Sequence, residues 1–227
     1  MNGETPVLRR VRSFVLRQGR MTFGQERALE ELLPRYSIPD GVVDFTALFG
    51  RDAKRTLEIG FGDGHNLAEL ARRHPEQDFL GCEVHRPGVG RLLLTLEADK
   101  LANVRVYPDD AVPFLKERVA DASLDALLIY FPDPWPKKRH HKRRLLQPES
   151  AELFARILKT GGMLHLATDW EDYARHALEV LTACTSFRND AAGAGFVARP
   201  PERPETKFER RGLKLGHAVF DLKFIKR

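Results

Sequence analysis

The sequence has very little cysteine and no long apolar segment. Cys82 and Cys184 are its only cysteines in 227 residues, and their separation matches neither a metal-binding nor a redox motif. We therefore expect two reduced thiols and no bound metal. No apolar run approaches the roughly 18 residues that span a bilayer, and the amino end lacks the apolar core of a signal peptide. These absences predict a cytoplasmic protein that does not contact a membrane.

Charge of one sign does not dominate either. The chain has 37 Lys and Arg against 32 Asp and Glu, which gives a formal net charge of +5. The resulting pI of about 9.3 favours an acidic partner such as nucleic acid, although many ordinary enzymes share it. The length suits one α/β domain. We expect residues 1–20, which are basic and aperiodic, to be a flexible arm, and residues 21–227 to be a single domain.

Strands and helices alternate along most of the chain. A helix is predicted at 23–33, capped by Thr22 and ended by Pro34, and the core is predicted to follow it. Gly161 and Gly162 are expected to end a helix at 149–158, and Asp169 to cap a helix at 170–181. Strands are predicted at 55–59, 79–84, 104–107, 124–131, 163–167 and 217–225, with 196–197 pairing near the end. The pattern predicts an α/β fold with a mostly parallel sheet, helices on both faces and an antiparallel C-terminal end.

A glycine-rich turn joins the first strand to a helix, in the order Glu58-Ile59-Gly60-Phe61-Gly62-Asp63-Gly64. Glycines let the backbone adopt positive φ and approach a ligand closely. A dinucleotide fingerprint would have its third glycine at position 65, which is a histidine here. An acid two residues before the first glycine indicates a cationic ligand group. This spacing resembles that of S-adenosylmethionine-dependent methyltransferases.

Acidic residues follow two further predicted strands. Glu83 lies about 20 residues beyond the glycines, where a carboxylate can accept hydrogen bonds from both ribose hydroxyls of a nucleotide. The alternative is a surface carboxylate paired with Arg86. Asp109 and Asp110 follow the next strand, where one of them could meet an adenine edge, although paired acids are also common in turns. Because parallel strands end at one edge of a sheet, these acids are predicted to share a site.

The stretch Leu124–Arg144 combines an apolar strand with a proline-rich break, Pro132-Asp133-Pro134-Trp135-Pro136. The break is similar to the motif of methyltransferases that act on base nitrogens. Asp133 could accept hydrogen bonds from guanine N1–H and the exocyclic amine. N7 already has a free lone pair, so we assign Asp133 a positioning role rather than that of a general base. Trp135 either stacks on the base or packs under the loop.

A strongly basic run follows this break directly. Residues 137–144 carry six Lys or Arg and two His. Such a run is often only a solvated face, but its place beside the predicted site favours contacts with phosphate groups. The predicted RNA-binding residues are Arg139, His140, His141, Lys142, Arg143 and Arg144.

These motifs, together with residues 81–90, 167–170 and 206–212, resemble the tRNA (guanine-N7-)-methyltransferase family. The resemblance covers nearly the whole chain and implies a Rossmann-like class I S-adenosylmethionine-dependent fold, tRNA as substrate at its variable-loop guanosine (m7G46), and no obligatory protein partner. It implies Asp133 as the catalytic residue. The implied cofactor site is Glu58, Gly60, Gly62, Glu83, Asp110 and Asp133. The implied guanosine site is Lys137, Asp169, Thr206, Lys207, Phe208 and Glu209.

Three other functions fit parts of the pattern. One is a methyltransferase that acts on another RNA, on DNA or on a protein, since the basic run allows such targets. Another is a non-catalytic RNA-binding protein with the same fold. An NAD-dependent oxidoreductase fits the strand order, but His65 interrupts its glycine fingerprint.

Overall fold

The computed structural model describes residues 11–15, 19–193, 195–206, 209–210, 216 and 218–227. Lys207 and Phe208 of the predicted guanosine site lie outside these residues, as do residues 1–10 and 16–18 of the predicted arm. The strands are β1 Arg55–Ile59, β2 Asp78–Cys82, β3 Val104–Tyr107, β4 Leu124–Tyr130, β5 Leu158–Thr168, β6 Phe187–Asn189 and β7 Phe220–Lys226. The helices are α1 Phe23–Glu31, α2 Leu33–Tyr36, α3 Phe45–Phe49, α4 His65–Arg73, α5 Arg86–Ala98, α6 Ala111–Arg118, α7 Pro148–Ile157 and α8 Glu171–Ala183. A 3₁₀ helix spans Lys138–Arg143.

The strands form one seven-stranded sheet in the order β3-β2-β1-β4-β5-β7-β6. Strands β1 to β5 pair in parallel, whereas β7 runs antiparallel to both β5 and β6. Val197 adds an antiparallel bridge to Asp221, as predicted. The expected mostly parallel sheet with an antiparallel C-terminal end is confirmed. No helix in the described part of the chain is long and apolar enough to cross a membrane.

Alternation along the strands divides the core between the two faces of the sheet. Leu57 and Ile59 of β1 pack with α6, α7 and α8, and Phe79 of β2 packs on the opposite face with α1, α4 and α5. Glu58 of β1 and His165 of β5 alternate along their strands with side chains of the first face. They therefore point to this second face. Helices therefore cover both faces, as the sequence predicts.

Three predictions at element ends were wrong. Helix α1 ends at Glu31 rather than at 33, and Pro34 lies in the first turn of α2, where its missing N–H costs nothing. Gly161 and Gly162 lie inside β5 instead of ending α7. A Cβ on Gly162 would meet the Lys159 carbonyl oxygen at 2.8 Å, so a close backbone approach explains that glycine. The N-cap of α8 is Trp170 rather than Asp169.

Helix α5 packs so closely on the glycine-rich turn that a methyl group would collide with it. A Cβ on Gly88 would lie 2.0 Å from the Gly62 carbonyl oxygen. We expect Gly88→Ala to lower the free energy of unfolding by about 1–3 kcal/mol, because backbone must move to admit it. Gly24→Ala is the matched control: its Cβ would meet Leu94 at 3.9 Å, and alanine favours the helix. Urea unfolding measures both, and equal stabilities would contradict the packing argument.

Candidate active site

A cavity of about 480 Å³ opens at the edge of the sheet where β1 to β4 end. Its volume is within the range of small-molecule sites. Among the predicted site residues, those that line it are Glu58, Gly60, Gly62, Glu83, Asp110, Asp133 and Thr206, and Asp109 does so too. The residues that the structure describes include no group of three or more His, Cys, Asp or Glu that could hold a metal ion.

The glycine-rich turn owes its shape to positive φ angles and to Glu83. Gly60 and Gly62 have φ of 76° and 61°, and a Cβ on either would meet nothing within 4 Å. Glu83 accepts a hydrogen bond from the Gly62 N–H at 2.8 Å and two more from Val84 and His85 at 2.7 and 2.8 Å. Because Glu83 is buried and bonded to backbone amides, the alternative of a surface carboxylate is wrong. Glu83 connects the end of β2 to the turn after β1.

Glu58 is a buried carboxylate that is hydrogen-bonded to a side-chain amide. The Nδ2 atom of Asn66 donates to its Oε2 at 2.9 Å. The pKa of Glu58 is raised from 4.5 to about 7, chiefly by burial and also by the nearby charges of Glu83 and Asp63, against the lowering effect of the Asn66 hydrogen bond. The Oδ1 atom of Asn66 is also buried and has no hydrogen-bond partner among the described residues. Two acceptors at the cavity wall thus favour a donor, and a cationic one above all.

The two acids after β3, Asp109 and Asp110, both line the cavity. Asp110 caps α6 by accepting from the Val112 N–H at 3.0 Å, and Asp109 accepts from the Asp110 N–H at 2.7 Å. These turn-type bonds coexist with a place at the cavity wall. Either carboxylate is therefore positioned to meet a ligand there.

The loop that carries Asp133 is strained. Phe131 and Trp135, on either side of it, have φ of 50° and 46°, in the left-handed region that non-glycine residues rarely adopt. Two prolines stiffen the segment between them, and Asp133 is exposed on the cavity wall. Such strain clusters at functional sites, where the surrounding structure holds it.

The described part of the arm lies on this loop. The Trp135 indole N–H donates to the Ser13 carbonyl at 2.9 Å, and the Arg143 guanidinium lies 3.7 Å from the centre of the indole ring. Arg143 also donates to the carbonyls of Arg12 and Phe14, at 3.0 and 2.8 Å. Residues 13–15 consequently help to line the cavity. Trp135 is half-buried, and Arg143 covers one face of its ring.

The basic run separates into an outer and an inner part. Lys137, Lys138, Arg139 and Lys142 are exposed, and His140 and His141 are half-buried. Arg144 is only 2% exposed. Its Nε donates to the Pro134 carbonyl at 3.0 Å, its Nη2 binds the Asp172 carboxylate, and its guanidinium lies over the Tyr173 ring. Arg144 therefore supports the Asp133 loop from within and does not face solvent.

The predicted guanosine site is brought only partly together. Asp169 follows β5 at the same sheet edge and is partly exposed, and Thr206 lines the cavity. Glu209 is buried and points away from solvent, because its carboxylate accepts from Arg199 and from Arg203. Arg203 lies in a proline-rich segment and is not among the site residues predicted from the sequence. A charged residue between prolines was the available signal.

Comparison with known proteins places this chain among methyltransferases. A family model described as "Putative methyltransferase" matches residues 52–222. The tRNA (guanine-N(7)-)-methyltransferase of Pseudomonas aeruginosa is 59% identical over 223 residues, which cover 97% of this chain and 91% of that protein. The enzyme of the same name from Stutzerimonas stutzeri is 59% identical over 218 residues, covering 95% and 92%.

Solved structures show the same fold at low identity. The 16S rRNA methyltransferase KamB has a TM-score of 0.62 and 16% identity, covering 83% of this chain and 96% of that one. An rRNA methylase from Streptococcus thermophilus has a TM-score of 0.53 and 13% identity, covering 92% and 99%. These likenesses support the fold assignment and nothing finer.

The buried Glu58 predicts a pH-dependent stability. Its folded-state pKa of about 7 lies above the ordinary 4.5, so its stabilising contribution is complete below pH 4.5 and is lost as pH rises through 7. Glu58→Gln should therefore raise the free energy of unfolding by roughly 2–3 kcal/mol at pH 8 and change it little at pH 5. Urea unfolding at both pH values measures this.

Glu83→Gln is the control, because an amide cannot accept all the backbone hydrogen bonds that Glu83 accepts. It should lower stability at both pH values. A Glu58→Gln protein that is less stable than the parent protein at pH 8 would contradict the pKa assigned to Glu58.

Proposed function

The chain belongs to the tRNA (guanine-N(7)-)-methyltransferase family, and we propose that it transfers the methyl group of S-adenosylmethionine to N7 of the variable-loop guanosine of tRNA. One observation carries the proposal most. The cavity brings the acidic ends of three parallel strands together with Asp133, which follows the fourth, and exposed cations follow directly on the Asp133 loop. A nucleoside-bearing cation and a polyanion can thus be bound side by side.

The cavity wall fits S-adenosylmethionine by its chemistry. Glu58 and the Oδ1 of Asn66, which has no hydrogen-bond partner in the described part of the chain, would accept hydrogen bonds from an ammonium group. Gly60 and Gly62 leave open space beside the backbone, and Glu83, with Asp109 or Asp110, would take the ribose and adenine. Binding of a cation would hold Glu58 in its ionised form and offset the cost of burying it. When bound, S-adenosylmethionine supplies an electrophilic methyl group on a sulfonium.

Asp133 would orient the guanine. An exposed carboxylate on a stiff, strained loop can accept from N1–H and from the exocyclic amine, which directs the opposite edge of the base into the cavity. N7 has its own lone pair, so no side chain needs to remove a proton. The enzyme's tasks are then alignment and exclusion of water. Residues 13–15 and Thr206 at the cavity wall would serve the second task.

The exposed part of the basic run would hold the tRNA backbone. Lys137, Lys138, Arg139 and Lys142 present their charges to solvent beside the Asp133 loop, and His140 and His141 lie among them. Phosphate contacts by such groups give affinity and salt dependence without reading sequence. Arg143 and Arg144 are engaged with the arm and with Asp172, and would contribute by shaping the surface.

The decisive assay follows labelled methyl from S-adenosylmethionine to unmodified tRNA and then cleaves at 7-methylguanosine with borohydride and aniline. Scission at the variable loop is expected. We expect Asp133→Ala to lower turnover by at least a hundredfold, because the base loses its orientation, while tRNA affinity changes less than threefold. Methylation without scission would move the target away from guanine N7. Near-normal turnover of Asp133→Ala would contradict its role.

The division of the basic run predicts two different responses to salt. Arg139→Ala should weaken tRNA binding and flatten the slope of log K against log salt by about one unit, as for one lost phosphate contact. Arg144→Ala should leave the slope unchanged and instead lower the free energy of unfolding by about 1–3 kcal/mol, because Pro134 and Asp172 lose their partner. An equally flattened slope in Arg144→Ala would place that guanidinium on the RNA.

A further inference from the structure

A chain of buried polar side chains runs beneath the segment that carries Thr206. Starting at the cavity wall, the Tyr130 hydroxyl lies 2.9 Å from His165 Nδ1, and His165 Nε2 lies 2.7 Å from Asp221 Oδ1. Arg203 Nη2 donates to Asp221 Oδ2 at 3.2 Å. The same guanidinium donates to both carboxylate oxygens of Glu209, at 2.7 and 2.8 Å. All five residues are buried.

The hydrogen bonds of this chain have a consistent direction. With the ring proton of His165 assigned to Nε2, the ring donates to Asp221, and Nδ1 accepts from the Tyr130 hydroxyl. Arg199 donates to Glu209 from the outer side at 2.8 Å, so two arginines balance the two carboxylates. Buried charges persist only when they are paired and hydrogen-bonded, and removal of one partner leaves the other uncompensated. The chain is therefore a single unit.

Arg203 is the member that joins the loop to the sheet. It binds Glu209 with two nitrogen atoms and Asp221 of β7 with the same side chain, and its guanidinium lies 5.8 Å from the centre of the Tyr130 ring and 6.0 Å from that of Phe131. Phe131 begins the strained loop that presents Asp133. The Arg203 guanidinium thus contacts the segment that carries Thr206 and Glu209 on one side and the start of the Asp133 loop on the other.

The Glu209 carboxylate is engaged in hydrogen bonds with neighbouring groups of the protein. Besides both arginines, its Oε2 accepts from the Thr206 N–H at 3.4 Å, and its own N–H donates to Thr206 Oγ1 at 3.1 Å. This reciprocal pair has the spacing and bonds of a capping box. Its side chain is 2% exposed. A carboxylate so placed orients Thr206 toward the cavity and presents no edge to a base.

We propose that Arg203 is a positioning residue for methyl transfer, which fastens the Thr206 segment to the sheet through Asp221 and His165, and that Glu209 acts through Arg203 rather than on guanine. The inference builds on the proposed function, since it assigns Thr206 and Asp133 to one guanosine pocket. It removes Glu209 from the groups that touch the base. The Arg203 guanidinium then fixes the position of Thr206 relative to Asp133.

The first test compares Arg203→Lys with Arg199→Lys. Lysine keeps the charge but cannot bind Glu209 with two nitrogen atoms and reach Asp221 as well. We expect Arg203→Lys to lower kcat/KM for tRNA at least tenfold and to leave S-adenosylmethionine affinity within twofold. Arg199→Lys alters the outer contact with Glu209 and the hydrogen bond to the Arg203 carbonyl but leaves the Arg203 guanidinium in place, so it should lower kcat/KM less than threefold. Full activity in a folded Arg203→Lys protein would overturn the proposal.

A second measurement needs neither substrate nor turnover. Backbone hydrogen exchange at Glu209 and Arg210, whose N–H groups bond to Thr206, should accelerate at least threefold in Arg203→Lys and not in Arg199→Lys. Unchanged exchange would overturn the positioning role whatever reaction the protein performs. If the parent protein transfers no methyl to tRNA while these exchange rates behave as expected, the proposed function fails. The inference that Arg203 fastens the Thr206 segment then still stands.

The role of Glu209 itself is tested with tRNA that carries inosine in place of the target guanosine. Inosine lacks the exocyclic amine and keeps N7. If Glu209 acts only through Arg203, Glu209→Gln should reduce kcat/KM for both tRNAs by the same factor, within twofold. A Glu209→Gln enzyme that loses more than twofold more activity on guanosine than on inosine would show a direct contact with the exocyclic amine and overturn this assignment.

Discussion

Parallel strands end at the same edge of the sheet, and in this protein nearly every one of those ends is acidic. Like charges are therefore concentrated around one cavity, and each carboxylate is accommodated differently. Glu83 accepts backbone N–H groups, Asp110 caps a helix, and Glu58 is buried with its pKa raised to about 7 by that burial and, further, by Glu83 and Asp63. A cationic nucleoside ligand would relieve this crowding, which links the topology of the sheet to the choice of cofactor.

The site is costly to the folded protein in two places. Glu58 destabilises the fold when it is ionised, and the Asp133 loop contains two non-glycine residues with positive φ. Both costs fall at the cavity wall or in the loop that presents Asp133 there. Elsewhere the packing is close, as where α5 meets the glycine-rich turn at Gly88. Rigid surroundings hold the strained groups in place before any ligand arrives.

Two arginines illustrate how charge can serve shape rather than binding. Arg144 stands in the most basic stretch of the chain, yet its side chain is buried against Pro134, Asp172 and Tyr173. Arg203 stands in a proline-rich loop and connects Glu209 to β7. The Arg144 guanidinium holds the Asp133 loop, and the Arg203 guanidinium holds the Thr206 segment. Each uses the planar geometry with several donors that lysine lacks. The exposed lysines and Arg139 remain for an anionic partner.

The sequence by itself determined the alternation of strands and helices in the parallel half, the glycine-rich turn and the acids at strand ends, because period, turn chemistry and the common edge of parallel strands are local or topological rules. It could not show that Arg144 points inward, that Glu209 is satisfied by Arg199 and Arg203, or that Gly161 and Gly162 lie within β5. Those outcomes depend on which charges meet when the loops pack and on how closely two backbones approach. Only the packed tertiary structure decides such contacts, since burial rather than local sequence pattern selects the partners.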